Sequence, residues 1–188
     1  MSYKKYVKDY KAKLVSVNDG RGMKEIYVYT GDYFTAGIQD GQRGRVLATI
    51  VVCCIGCILC FAGAGLIDCD GMRQFYVAVP FAVSLLPLGM MTAGVWRCVR
   101  EKEPLKREAV DHGWHRTKGM SMFAAIVAGI SAVASVVYML IAKDFSGGQI
   151  VFTLLMALFA GLAFWVWRTV QKKCNIHQLE EVKSGQNS

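Results

Sequence analysis

Residues 46–67 read VLATIVVCCIGCILCFAGAGLI, 22 positions without one Asp, Glu, Lys or Arg. About 20 apolar residues in a helix cross the roughly 30 Å hydrocarbon core of a bilayer. A helix also satisfies its own backbone hydrogen bonds where no water is present to do so. The stretch is therefore read as a spanning helix. Working outward, residues 74–96, 119–142 and 150–167 also lack all four charged residue types. The expected fold class is an all-α integral membrane protein, a four-transmembrane-helix bundle over residues 45–170. An N-terminal arm over 1–44 precedes it. A helical extension of the fourth span, reaching about Val182, and a disordered tail make up 171–188. No piece outside the spans is large enough to be a sizeable enzyme domain of its own.

The net charge of +8 is unevenly placed. Nine Lys and Arg lie in residues 1–45, seven in 97–118 and four in 168–188, whereas the two short loops on the other side hold only Arg73 and Lys143. Basic residues concentrate on the cytoplasmic side of membrane proteins. The sequence therefore predicts both termini in the cytoplasm, in a plasma (inner) membrane. The surplus is a topology signal that also favours contact with anionic headgroups, and nucleic-acid binding is not expected. The first span, following 45 largely polar residues, is expected to serve as its own insertion signal.

Within the arm, residues 11–17 (KAKLVSV) and 24–30 (KEIYVYT) are rich in β-branched and aromatic types. Between them stands Asn18-Asp19-Gly20-Arg21-Gly22, a turn signal. A small cytoplasmic β-hairpin is predicted. Alternation puts Val15 and Val17 on one face of the first strand. On the second it puts Ile26 and Val28 on one face, with Tyr27 and Tyr29 opposite. Two strands alone are marginal in water, so the apolar face is expected to dock on the helix ends, the membrane, another copy or a partner.

The run CCIGCILC at 53–60 is the most conspicuous stretch. On a helix Cys53, Cys57 and Cys60 share a face, and Gly56, Gly63 and Ala64 extend a smooth stripe beside them. Small residues let helices approach closely in a membrane, and that is the reading taken; a thiol or metal centre is the alternative. Ser121, Ala125, Ala128, Gly129, Ala132 and Ser135 give the third span a similar surface, with Ala125-x-x-x-Gly129 a small-xxx-small pair. The first and third spans are thus expected to be the close-packing members, with the second and fourth facing lipid. The second span carries Pro80 and Pro87. Disulfides are not expected to organise the fold, although an intermolecular Cys69–Cys69 bridge is open.

Membrane-interface anchors are expected at Trp96, Arg97, Trp114, Trp167 and Arg168, since Trp and Arg favour the headgroup level. Val95-Trp96-Arg97-Cys98-Val99 also resembles Val166-Trp167-Arg168-Thr169-Val170, so the chain reads either as a parallel repeat of two hairpins or as two similar anchors. His112 and His115 form a His-x-x-His pair without the further ligands that a tetrahedral site needs. No metal site, cofactor or catalytic set is expected. No charged group in the spans suggests ion coupling, and no P-loop, nucleophile elbow or zinc-protease motif is present.

These observations predict a non-enzymatic membrane subunit that scaffolds or modulates a larger complex, or a homo-oligomer. The alternative is a small transporter or channel formed by self-assembly.

Overall fold

Four long helices form where charge is missing. In the computed structural model α1 spans Arg43–Leu66, α2 Phe75–Arg100, α3 Arg107–Ala142 and α4 Gly147–Lys173, each long and apolar enough to cross a membrane. The structure describes residues 7, 9–16, 23–38, 41–101, 103–143, 145–174 and 176–179, with the backbone alone at 13–16, 23–24 and 177–179. A single 3-10 turn, Asp70–Arg73, lies between α1 and α2. Lys143 takes the left-handed conformation that closes α3.

Two helix bounds differ from expectation. Helix α4 ends at Lys173, where the Cys174 N–H donates to the Val170 carbonyl at 3.1 Å. It does not run on toward Val182, because His177–Leu179 pairs as a strand instead. Residues 180–188, including the predicted tail, lie outside the described residues. Helix α3 begins well before residue 119, within what reads as a loop. Its first turns bury Ala109, Val110, Gly113, Trp114 and Thr117. That is helical spacing, hidden in the sequence by the charged residues of the opposite face. Val110–His115 winds as a π-helix, a wider turn used in short pieces within α-helices.

The helices make an antiparallel ring in chain order. Helix α4 packs along both α1 and α3, α3 packs along α2, and α1 meets α2 more narrowly. The smooth faces of α1 and α3 therefore lie on a diagonal, and they are not each other's main partners. Nor are α2 and α4 the lipid-facing pair: the apolar window of α1 is 33% buried and those of α2, α3 and α4 are each 28% buried. The reason is complementarity, because large side chains of α4 fill the space that small residues of α1 leave. Phe152, Met156, Phe159, Ala163 and Val166 of α4 are fully buried, as are Cys57 and Ala64 of α1 and Met91 of α2. Phe61 stacks on Phe81 at 4.6 Å where α1 meets α2.

The outer surface is apolar too. Val52, Leu59, Leu66, Leu86, Val133, Leu140 and Leu154 are all more than 60% exposed. Soluble monomers rarely expose such continuous apolar area, and this surface is compatible with an integral membrane protein.

At one end the chain makes strands. Strands β1 (Tyr10–Ser16) and β2 (Met23–Tyr29) form the antiparallel hairpin read from the sequence, with Tyr10 opposite Tyr29 and Ser16 opposite Met23. A second sheet has the order β4-β3-β5, from Leu105–Lys106, Tyr33–Thr35 and His177–Leu179, with both pairings antiparallel. It ties the arm, the α2–α3 connector and the segment after α4 together. The segments that precede α1 and follow α4 consequently meet at the same end of the bundle.

Candidate functional site

The strand-bearing end gathers the polar chemistry. Tyr29 ends β2 with its side chain buried. Its hydroxyl donates to the Asp32 carbonyl at 2.9 Å and accepts the Arg107 N–H at 3.1 Å. One phenol thus fastens the hairpin to the start of α3. Burial raises its pKa above the usual phenol range, as desolvation disfavours the phenolate. Tyr10 and Tyr33 meet its ring edge-on at 5.3 and 5.1 Å. The Lys106 ammonium lies 5.8 Å from the Tyr10 ring centre and 5.5 Å from that of Tyr29, within reach of cation–π attraction.

Arg43, at the start of α1, secures the connector. It pairs with Glu103 at 3.5 Å and donates to the Glu101 carbonyl at 2.8 Å. Glu103 also accepts the Ala36 N–H at 3.1 Å. Arg97 pairs with Glu108 at 3.5 Å. Beside that pair opens a cavity of about 320 Å³, whose lining includes Tyr10, Trp96, Arg100 and Lys106.

The hairpin residues divide differently from the predicted faces. Tyr29 is the docked side chain, whereas Ile26 and Tyr27 are exposed and Val28 is half-buried. Tyr29 alone is covered at the base of the hairpin, where its hydroxyl serves two backbone groups. Val15 stands on β1 opposite Lys24. Val17, Gly20 and Gly22 lie outside the described residues.

Among the anchors, Trp96 is 68% exposed beside the half-exposed Arg97, Trp167 is half-buried against Phe164, and Arg168 is exposed. Trp114 is the correction. It is 1% exposed and is a core residue of the π-helical turn, not an interface anchor.

The packing residues also sort out. A β-carbon on Gly56 would lie 2.9 Å from Leu162 and one on Gly63 would lie 3.4 Å from Leu155, so both glycines receive side chains of α4. Cys57 and Cys60 are buried, and Cys53 is partly buried. Cys54, which the sequence reading left off this face, is in the core with its thiol 3.5 Å from the Thr92 hydroxyl. Ala132 is buried and Ala125 is partly buried. Gly129 is not at a crossing: a β-carbon there would meet nothing within 4 Å. The tight crossing joins α2 and α3 instead, at Gly94, Cys98, Gly113 and Thr117. A β-carbon on Gly113 would lie 3.2 Å from the Cys98 sulfur. Gly113 belongs to the small-residue series Ala109-x-x-x-Gly113-x-x-x-Thr117, and Gly94 to Gly94-x-x-x-Cys98, but the first lies in a stretch whose charges read as a loop, so the pairing of the two was missed.

A second polar group lies at the opposite end. The Gln149 amide, fully buried, accepts the Gly71 N–H at 3.2 Å and donates to Ser135 at 2.6 Å. Ser135 meets Thr153 at 2.6 Å. These bonds pin the α1–α2 turn to α3 and α4.

No disulfide forms among the seven cysteines, and Cys69 is 5% exposed, out of reach of an intermolecular bridge in this conformation. Cys174 is half-buried, with its pKa pushed up to about 12 by desolvation and the nearby Cys98. Among the described residues no three His, Cys, Asp or Glu side chains come together to hold a metal ion.

The architecture defines a four-helix ring with an apolar exterior and a polar, strand-bearing end. Compared with family models, curated proteins and solved structures, the chain matches none.

Proposed function

We propose that the chain is a non-enzymatic polytopic membrane subunit that scaffolds or modulates a larger complex through its basic end. The basic asymmetry supports a cytoplasmic position for that end, with both termini inside a plasma (inner) membrane. The observation that carries the reading is the hairpin. It is fastened at its base through Tyr29, while Ile26 and Tyr27 farther along β2 are 43% and 68% exposed. A large aromatic on an exposed strand face is a common anchor of protein contacts.

The test is a photo-crosslinking residue at position 27 in native membranes. One discrete adduct with another polypeptide, or with a second copy, is the expected product. Adducts with lipid alone, at every expression level, would remove the scaffold reading.

The transporter alternative meets a packed axis. Phe152, Met156, Phe159 and Met91 are fully buried there, so any pore would have to form between copies. Flux through vesicles holding the purified chain is expected to stay at background.

A further inference from the structure

We propose that the cavity beside Trp96 binds the headgroup of an anionic phospholipid, with the phosphodiester held by Arg100 and Lys106. The inference rests on the membrane placement proposed above and adds a specific site to it.

The cavity has room for a headgroup at about 320 Å³. Its walls come from the last turns of α2, the strand β4 and the start of α3, with Tyr10 of β1 closing one side. Four charges line it besides Lys106: Arg97, Arg100, Glu101 and Glu108. Arg97 and Glu108 satisfy each other at 3.5 Å. Arg100 and Lys106 have no carboxylate partner among the described residues. Lys106 is instead held in place over the Tyr10 and Tyr29 rings. Two cations against the one remaining carboxylate, Glu101, leave a single positive charge. A monoanionic phosphodiester matches it, and hydroxyls of a glycerol headgroup can donate to Glu101.

The position selects a lipid over a soluble phosphate. Trp96 lines the same cavity and is 68% exposed at the end of the apolar stretch, the level at which indoles sit between acyl chains and headgroups. About 15 Å below it on the exposed side of α2 stand Leu85 and Leu86, both more than half exposed. A phosphate at Arg100 therefore has an apolar wall on which its acyl chains can lie. Basic pockets at helix ends are suited to such headgroups.

Native mass spectrometry of the full chain, released from micelles doped with phosphatidylglycerol or phosphatidylcholine of the same acyl chains, tests the site. Wild type is expected to keep one phosphatidylglycerol at about fivefold or more over phosphatidylcholine, on the scale of one surface cation per phosphate. Arg100→Gln and Lys106→Gln should each bring retention down toward the phosphatidylcholine level. Lys172→Gln, at the same end on α4, should leave it unchanged. Excess glycerol 3-phosphate should not displace the lipid.

Equal retention of the two lipids by wild type, or full retention by both cavity variants, would overturn the proposal. So would displacement by glycerol 3-phosphate, which marks a soluble-phosphate site. Unfolding of each variant in lipid-free detergent separates lost binding from lost folding, and Arg100→Gln is expected to melt with wild type. Carbonate extraction of membranes separates the two levels of the argument. A chain that washes off refutes membrane placement, whereas one that stays but shows no lipid preference refutes only this site.

Discussion

Gly94 of α2 and Thr117 of α3 are in direct contact: a β-carbon on Gly94 would stand 2.5 Å from the threonine Oγ1 and 3.2 Å from its backbone nitrogen. The Gly113 carbonyl would be 3.3 Å away. A side chain at position 94 must displace the threonine hydroxyl and also press on two backbone atoms of α3, so turning Thr117 aside relieves only part of the crowding. Gly94→Val should cost about 1–3 kcal/mol by overpacking, read as a lower unfolding temperature in detergent. Gly129→Ala, facing open space, should be neutral or stabilise by up to about 1 kcal/mol through helix propensity. The reverse order of these two variants would contradict the crossing.

The Gln149 amide bridges three chain segments, and its removal leaves the buried Gly71 N–H without a partner. Gln149→Leu is therefore expected to destabilise by about 1–3 kcal/mol. A double variant with Ser135→Ala should cost less than the sum of the two single changes, because both act on one network. Strict additivity in thermal unfolding would show that the network is not coupled.

Tyr29→Phe removes the hydroxyl shared by Asp32 and Arg107. The hairpin should become several-fold more sensitive to limited proteolysis, while Tyr27→Phe, on an exposed ring, should not change it. The phenol pKa is raised on docking. Docking is therefore supported fully below the ordinary phenol pKa of about 10 and is weakened as pH rises through the higher docked value. Protection of the hairpin should fall on that alkaline side alone.

The Cys174 thiol, with its pKa pushed up to about 12, holds only about one molecule in ten thousand as thiolate at pH 8. Maleimide labelling there should be far slower than at a free thiol and should accelerate with pH. Mild oxidation should produce no Cys69-linked dimer, since that sulfur is buried. A prompt dimer abolished by Cys69→Ser would refute the burial.

Reporter fusions test the orientation. Termini and the α2–α3 connector should report from the cytoplasm, and the turns near Arg73 and Lys143 from the other side. Inversion would leave the bundle intact but move the basic end outward.

The four helices were legible because charge is excluded from long blocks, a signal that needs no knowledge of neighbours. Blocks 46–67 and 74–96 differ from α1 and α2 by only a few residues at each end. The hairpin was legible from its turn residues and alternation. The start of α3 was not, since His112, His115 and Arg116 give residues 107–118 a loop-like composition around the buried Trp114. The sheet β4-β3-β5 was hidden for another reason. Its strands are two or three residues long, too short for any period, and they pair across most of the chain. The face of α3 is legible for the most part: Ser121, Ala128, Ala132 and Ser135 of its small-residue stripe are buried. Its edge is not, because small residues adjoin the stripe: Ala124 is turned inward, whereas Ala125 and Gly129 are only partly buried.

The central place of β3 sets an order of events during synthesis. Tyr33–Thr35 is made before any of the four long helices, yet one partner, His177–Leu179, follows α4. Thr35 and His177 are partners 142 positions apart, a wait of roughly 7–30 s at ordinary elongation rates. For that interval a strand edge beside the hairpin stands unpaired, open to a chaperone or to an assembling neighbour. Closure of the sheet then occurs only in chains in which α4 and the strand after it have been made, so a ligand of the closed sheet would distinguish them from chains cut short before that point.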